Sequence, residues 1–529
     1  MTAIYWFRKA LRLHDNPSLL ALTSDNTVKH ILPIFIVDDL YLSRSSVGVN
    51  RMRFLQECLA DLDKSLQKLN SRLFVLRGSP VQTFEHICKL FSPVQVAWEL
   101  DYEPYAKERD ASVRSLLVER GAKTEHCGRA NTLFDPEKEW PIPPFSTYAT
   151  NPCRTTYGSF VSFFDRKKLL PTKPVSTAAK LAPPPRNTIE LLKASSLSYS
   201  VPSKKEMIGL LPKSISEKST ASKDTRKLFG GETAAIESMK KYLADQLQTA
   251  TFEKPKTHPF SVHASTTELS PYLKFGCLSV RTFWWELDQT VRNAKETDAK
   301  LVPSKPPVSL PGQLLWREFY IAAAATTPNF GAIEGNPICR QIKWDHTASF
   351  LDAWSRGLTG FPLVDASMRQ LRQEGWIHHL ARHLVACFLT RGHLWQSWEQ
   401  GAAVFEELLL DADPSLNFGN WMWLSASAFF HQYWRIYSPV SFSVKHPDTE
   451  EYVRHFVPEL ASYPKAYLFE PWKAPKHVQE QCGCIIGTDY PKRIIDHDEA
   501  RKVNMARFKQ QLQQFGSSSS PSPKRQRKA

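Results

Sequence analysis

The chain has 529 residues, 42% hydrophobic and 12% aromatic, too long for one core and apolar enough for two or more. Lysine and arginine number 68 against 53 aspartates and glutamates, a formal net charge of +15 that favours a polyanionic partner, nucleic acid first among them. No run of about 18 apolar residues occurs, Arg8 and Lys9 bring charge too early for a secretory leader, and nine scattered cysteines suit a reducing compartment; membrane-spanning, exported and disulfide-stapled classes are set aside.

In chain order, short β-rich runs at Ile4 to Phe7, Ile31 to Val37, Leu73 to Leu76 and Val94 to Trp98 alternate with helical stretches at Phe54 to Leu69 and Val81 to Leu90. That order predicts βαβ units and a parallel sheet, a Rossmann-like α/β domain over residues 1–135. No GxGxxG follows the first strand, so the standard dinucleotide fingerprint is absent. Residues 136–230 are expected to link two domains, and Pro171 to Lys227, rich in Pro, Ser, Thr and Lys, to be partly disordered. Residues 231–515 are expected to be all-helical: Phe283-Trp284-Trp285, Leu314-Leu315-Trp316 and Val404 to Leu410 fit buried helices. Residues 516–529 read as a disordered basic tail whose Pro523-Lys524-Arg525-Gln526-Arg527-Lys528 suits nuclear import. Cys482-Gly-Cys484 has no second pair at metal-site spacing, and no metal site is expected.

Five segments of the helical part carry polar groups in apolar surroundings. Thr266-Thr267-Glu268-Leu269-Ser270 precedes a helix-like run, which makes it either a capping pattern or a phosphate site. Gln313 and Trp316 are three apart, a flat aromatic beside an amide, suited to reading a base by stacking and hydrogen bonding or simply to a core face. Gly375 to His383 reads as one buried helix with His379 and His383 four apart on a face, a candidate acid/base pair; two hydrogen-bonded core histidines would show the same spacing. Asp365, Asp411 and Asp413 flank that helix, and Arg382 is the expected partner of Asp411, since a buried carboxylate needs one. Trp395 and Trp398, three apart, are expected on one helix face, with Trp344, Trp421 and Trp423 completing an unusual supply of indoles.

These segments together resemble the photolyase/cryptochrome flavoproteins. The resemblance runs from Trp6-Phe7-Arg8-Lys9-Ala10-Leu11-Arg12-Leu13-His14-Asp15-Asn16-Pro17 to Tyr467-Leu468-Phe469-Glu470-Pro471-Trp472 and includes Leu269-Ser270-Pro271-Tyr272-Leu273-Lys274-Phe275-Gly276, Trp316-Arg317-Glu318-Phe319-Tyr320 and Gly419-Asn420-Trp421-Met422-Trp423. It implies an α/β antenna domain and an all-α domain that binds FAD. By position, Thr266, Thr267, Leu269 and Ser270 match residues that grip the FAD phosphates; Gln313 and Arg317 match the cavity wall; Arg382 and Asp411 match a pair beside the flavin ring. Asp413, Asn417 and Asn420 match further cofactor contacts, and Trp421, Trp398, Trp344 and Trp395 an electron relay.

His379 and His383 resemble the catalytic pair of (6-4) photolyases and animal-type cryptochromes, with His379 also against the cofactor. Phe430 to Val440 and Asn417 resemble the repair branch, which implies light-driven repair of (6-4) photoproducts in DNA flipped from the duplex. Lys256, Gln313, Trp316, Trp423 and Tyr437 would then contact the lesion, and an antenna pigment, 8-hydroxy-5-deazaflavin or methenyltetrahydrofolate, would accompany FAD. The resemblance further implies a nuclear monomer whose partner is UV-damaged DNA, with clock or signalling proteins as partners under the rival photoreceptor reading. Two departures, Phe418 for a small residue and Pro414 for an aromatic, bear on flavin redox behaviour and helix geometry.

Overall fold

The computed structural model describes residues 1–518 other than 45, 125–126, 137, 141–155, 196, 198–199, 214, 216–223, 264, 443 and 445. Its N-terminal part is a five-stranded, wholly parallel sheet in the order β3-β2-β1-β4-β5, with β1 at Thr2–Phe7, β2 at His30–Val37, β3 at Phe74–Arg77, β4 at Gln95–Glu99 and β5 at Cys127–Gly128. The register runs Thr2↔His30 to Phe7↔Phe35 on one side of β1 and Ala3↔Gln95 to Tyr5↔Ala97 on the other. Five of the six β1 residues are buried, because a central parallel strand is covered on both faces. Ile4, Trp6, Leu32 and Ile34 pack under the helices Pro80–Phe91 and Pro104–Glu119, while Tyr5, Phe7 and Leu11 belong to a core that continues into Tyr272, Leu314 and Phe319 of the helical part. The two domains therefore share one apolar seam. β5, two residues long, carried no period that a sequence pattern resolves.

The Trp6-to-Pro17 motif is the clamp across that seam. Asn16 accepts from Leu19 N at 3.2 Å and from the Tyr5 hydroxyl at 2.6 Å, so it caps the helix Pro17–Ser24 and anchors it to β1. Arg12 donates to the carbonyl of Gly276 at 2.8 Å, Leu11 N to that of Phe275 at 3.2 Å, and Asp15 takes the Ser279 hydroxyl. Gly276 is required here twice over: its φ is +69°, and a Cβ would fall 2.3 Å from Ala10 N.

The described residues of the linker form a packed cover, not a free tether. Leu181 and Leu192 are buried, and the helix Lys204–Gly209 lies on Val49–Gln67. Arg226, fully buried at its side chain, bridges Glu57 at 2.8 Å and Asp224 at 2.8 Å. The composition of the segment was correctly polar, but it meets a surface that pairs its charges.

The remainder is helical. Its principal members here are Val280–Thr297, Leu310–Thr326, Pro362–Glu374, His379–Cys387, Trp398–Leu408, Pro414–Leu424 and the last helix, His497–Ser518, which overruns the expected boundary at 515. The basic cluster 523–528 lies outside the described residues. No helix among the described residues is long and apolar enough to cross a membrane, and no group of three or more metal-ligating side chains is found among them.

Candidate functional site

One deep cavity opens among these helices, and it gathers residues scattered from Phe252 to Leu424. Its wall includes Thr266, Thr267, Leu269, Ser270, Gln313, Arg317, His379, Arg382, His383, Asp411, Asp413, Asn417, Asn420 and Trp421. Every cofactor-contact position inferred from resemblance thus lies on one wall, with both histidines.

Local geometry explains each placement. Gly375 ends the helix Pro362–Glu374 at φ +74°, so Gly375 to His383 is not one helix: the next begins at His379, and His378 is its N-cap, its Nδ1 accepting from Leu380 N at 3.1 Å. His379 and His383 remain four apart on that helix, ring centroids 5.9 Å apart, and His378 lies 4.2 Å from His379. His379 Nε2 is buried without a hydrogen-bond partner among the described residues, and His383 Nδ1 lies 3.2 Å from the Tyr437 hydroxyl. Burial, with Lys254 next in effect, pushes the His383 imidazole down to about 3 and His379 well below its ordinary value; all three histidines are neutral at neutral pH.

Arg382 forks onto Asp411 with bonds of 3.0 and 2.9 Å, as its sequence pairing anticipated. Asp413 caps the helix Pro414–Leu424, accepting from Ser415 N at 3.0 Å and Leu416 N at 3.3 Å, and Lys9 of the α/β domain stands 3.7 Å from its other oxygen. Pro414 follows at the first helical position, where its ring pre-sets φ, so this departure conforms to ordinary helix initiation. Phe418 does not crowd the cavity. It is absent from the wall and packs on Gly331, whose Cβ would meet its ring at 2.6 Å, and near Trp398 at 6.4 Å. Asn417 donates to Ala402 O at 2.9 Å, Asn420 to Leu416 O at 2.8 Å and Gln313 to Pro307 O at 2.8 Å, which fixes all three amides. The helix Ser270–Phe275 is only six residues long, with no side-chain cap, so the hydroxyls of Thr266, Thr267 and Ser270 and the wall cations, not a long helix terminus, face any phosphate.

Several expected placements differ. Lys256 is exposed and paired with Glu253 at 2.8 Å, whereas Lys254, two residues earlier in the turn Lys254–Lys256, lines the cavity. Burial, then Arg382, pushes the Lys254 ammonium down to about 8. Nothing but the alternation of that turn distinguishes the two lysines in sequence. Trp316 is stacked on Tyr157 at 3.8 Å, and Trp423 meets its edge at 5.3 Å, so the two indoles pack outside the cavity wall with one face already taken. Tyr437 reaches the site through His383. Trp395 is not on a helix with Trp398: the chain leaves its helix through a π-turn at Phe388–Gly392, Trp395 adopts φ +55°, and the next helix starts at Trp398. Asp365 lies away from the cavity, held by Thr359, Gly360 and Tyr490.

Trp421 reaches the cavity wall because Gly401 leaves room; a Cβ there would fall 2.2 Å from its ring. Trp398 is fully buried, and Trp344 and Trp395 touch at 5.0 Å beneath Phe508 of the last helix. A second, more apolar cavity sits at the carboxyl ends of β1 and β2, lined by Trp6, Arg8, Val37, Tyr41, Arg51 and Arg109, the crevice where open parallel sheets hold ligands.

The residues fit FAD: a hydroxyl cluster with Lys254, Lys274 and Arg317 for a diphosphate, an unpartnered buried imidazole nitrogen, and an arginine–carboxylate fork on an otherwise apolar wall. Comparison with known proteins agrees. A family model described as DNA photolyase matches residues 3–142, and one described as the FAD binding domain of DNA photolyase matches residues 309–510. Cryptochrome-2 of Gallus gallus is 43% identical over 517 residues, 97% of this chain and 84% of that protein. Cryptochrome-1 of Erithacus rubecula is 43% identical over 523 residues, 97% of this chain and 79% of its own. The structure of Synechocystis sp. PCC6803 cryptochrome matches with a TM-score of 0.79 at 25% identity, covering 96% of this chain and 98% of its own. A bacterial class III photolyase from Agrobacterium tumefaciens matches at 0.78 and 26% identity, covering 97% and 98%. With an α/β domain, a helical domain and this cavity in place, the chain belongs to the photolyase/cryptochrome family and is an FAD-binding flavoprotein.

Proposed function

We propose that the protein repairs (6-4) pyrimidine–pyrimidone photoproducts in DNA. The observation that carries this reading is His379, whose Nε2 is buried and unpartnered on the cavity wall beside His383 and Lys254. FAD, when bound and reduced, supplies the light-driven electron. The chain's own part is to hold the flipped lesion, exclude water and deliver a proton. A lesion stacks and pairs poorly, so turning it out of the duplex costs less than for normal bases, and the net charge of +15 holds the backbone. Gln313 offers its amide from the wall, Trp316 and Trp423 pack edge to face outside that wall, and Tyr437 reaches the site through His383. Lys254, on the cavity wall, and not the exposed Lys256, is the lysine of its turn that would contact the lesion.

His379 is neutral in the protein alone. The negative charge of the lesion's phosphate favours its imidazolium, so charging accompanies substrate loading, and His379 then gives its proton to the base oxygen that must leave. His383, bridged to Tyr437, holds it in orientation. Trp344, Trp395, Trp398 and Trp421 form the path by which electrons enter from the surface. Trp421→Phe is expected to slow light-driven reduction of the bound cofactor while sparing repair by protein reduced chemically beforehand; unchanged reduction would argue against the path. The second cavity is where an antenna pigment, deazaflavin or folate, would sit.

Similarity to animal cryptochromes over 97% of the chain favours a second reading, a photoreceptor or clock regulator acting in the nucleus through protein partners. Illuminating reduced, purified protein with DNA carrying either lesion type separates them: restored bases from the (6-4) lesion support repair, and restoration of neither supports signalling.

A further inference from the structure

Glu268 is the titratable wall residue that the proposed reaction leaves unused. It stands between Thr267 and Leu269, lining the FAD cavity and also a smaller neighbouring one. Its φ is +51°, a left-handed conformation uncommon outside glycine, which turns the residue at the wall between the two cavities. Across the smaller cavity it faces Lys227, Glu374, His258, His263 and His378; across the larger one it faces Lys254, Lys274, Arg317, Arg382, Asp411 and Asp413, together with neutral His379 and His383. The near cations are already engaged. Lys227 lies 2.9 Å from Glu374 and donates to Val262 O at 2.7 Å, Lys274 lies 3.0 Å from Glu103, and Arg382 is held by Asp411. Glu268 itself has no hydrogen bond or ion pair among the described residues.

We propose that Glu268 makes the protein's hold on FAD depend on its own proton: as the acid it is a tolerated wall residue, and as the carboxylate it opposes the cofactor's diphosphate. Two like charges sharing one water-poor cavity cannot both ionise freely, so the diphosphate binds the protonated form and draws a proton in. Burial pushes the Glu268 carboxyl up to about 7, with Lys227 opposing and Glu374 adding to the rise, which places the transition at working pH. FAD binding therefore takes up a proton, and affinity falls as pH rises through that value. This inference rests on FAD in the cavity and on no part of the repair reading.

Equilibrium release of FAD from diluted holoprotein, read by the fluorescence of free FAD, tests it. Kd is expected to be about fourfold weaker at pH 7.5 than at pH 6 for the wild type, the ratio set by one group that ionises near 7 only in the empty site. Lys254 loses its proton mostly above that window. Glu268→Gln is expected to be flat over the same range, as is Glu268→Gly, which also relieves the φ strain and serves if the glutamine variant folds poorly. A flat wild type, or a slope retained in both variants, overturns the proposal. A failed lesion assay leaves either result standing.

Discussion

His379→Ala is expected to keep FAD and damaged DNA while losing (6-4) repair by about a hundredfold or more, the range that one positioned acid contributes. The reason is geometric. His379 is the wall imidazole whose Nε2 has no partner among the described residues, so its removal breaks no hydrogen bond to them through that nitrogen. Stability should change little, whereas the proton delivered in concert with the electron is lost. Repair by wild-type protein is expected to fall as pH rises, because the acting form is the imidazolium and burial, Lys254 and the neighbouring histidines all drive it towards neutrality. Repair assayed with prereduced protein, alongside FAD content and DNA affinity, checks the prediction. Retained repair in the alanine variant would remove His379 from the reaction.

Arg382→Ala is expected to cost about 3 kcal/mol of stability and to release FAD. Breaking a buried pair costs about 3–5 kcal/mol because one charge is stranded. Here the arginine side chain is 22% exposed and Asp411 only 6%, which puts the loss near the lower end. Arg382→Lys should recover only part of it, since an ammonium cannot reproduce the fork onto both Asp411 oxygens. The same arginine lowers His378, His379 and His383 electrostatically, so the alanine variant should let those histidines take protons at higher pH. Denaturant unfolding, FAD retention and histidine titration by NMR report the three effects separately. Unchanged stability with FAD retained would mean Asp411 finds another partner.

Much of the architecture was legible in the chain. The four longer strands follow from apolar β-rich runs, since a parallel strand covered on both faces is apolar through its interior and leaves polar residues such as His30, Arg77, Gln95 and Glu99 to its ends. Helices follow from the longer apolar runs at Phe54 to Leu69, Val81 to Leu90 and Val404 to Leu410, whereas the helix that Pro414 opens was not read from its proline. Arg382 with Asp411 was readable because a carboxylate after Leu408-Leu409-Leu410 cannot be buried alone. The positions matched to cofactor contacts by the family motifs all fall on one cavity wall.

What the linear order left open were choices that depend on direction, not identity. Lys254 and Lys256 carry the same charge two residues apart, and only the turn between them decides which one enters the cavity and loses basicity. Trp395 and Trp398 have helical spacing, but Trp395 sits in a left-handed turn at φ +55° and the helix starts only at Trp398, and the local pattern holds no sign of that break. Trp316 offers a flat face in sequence, and Tyr157, more than 150 residues away, covers it. Composition and period set which segments are buried and which are helical, because those depend on near neighbours. Which side chains meet in the cavity, and how burial shifts their protons, was decided by contacts between segments far apart in the chain, and these exist only once the two domains close on their shared seam.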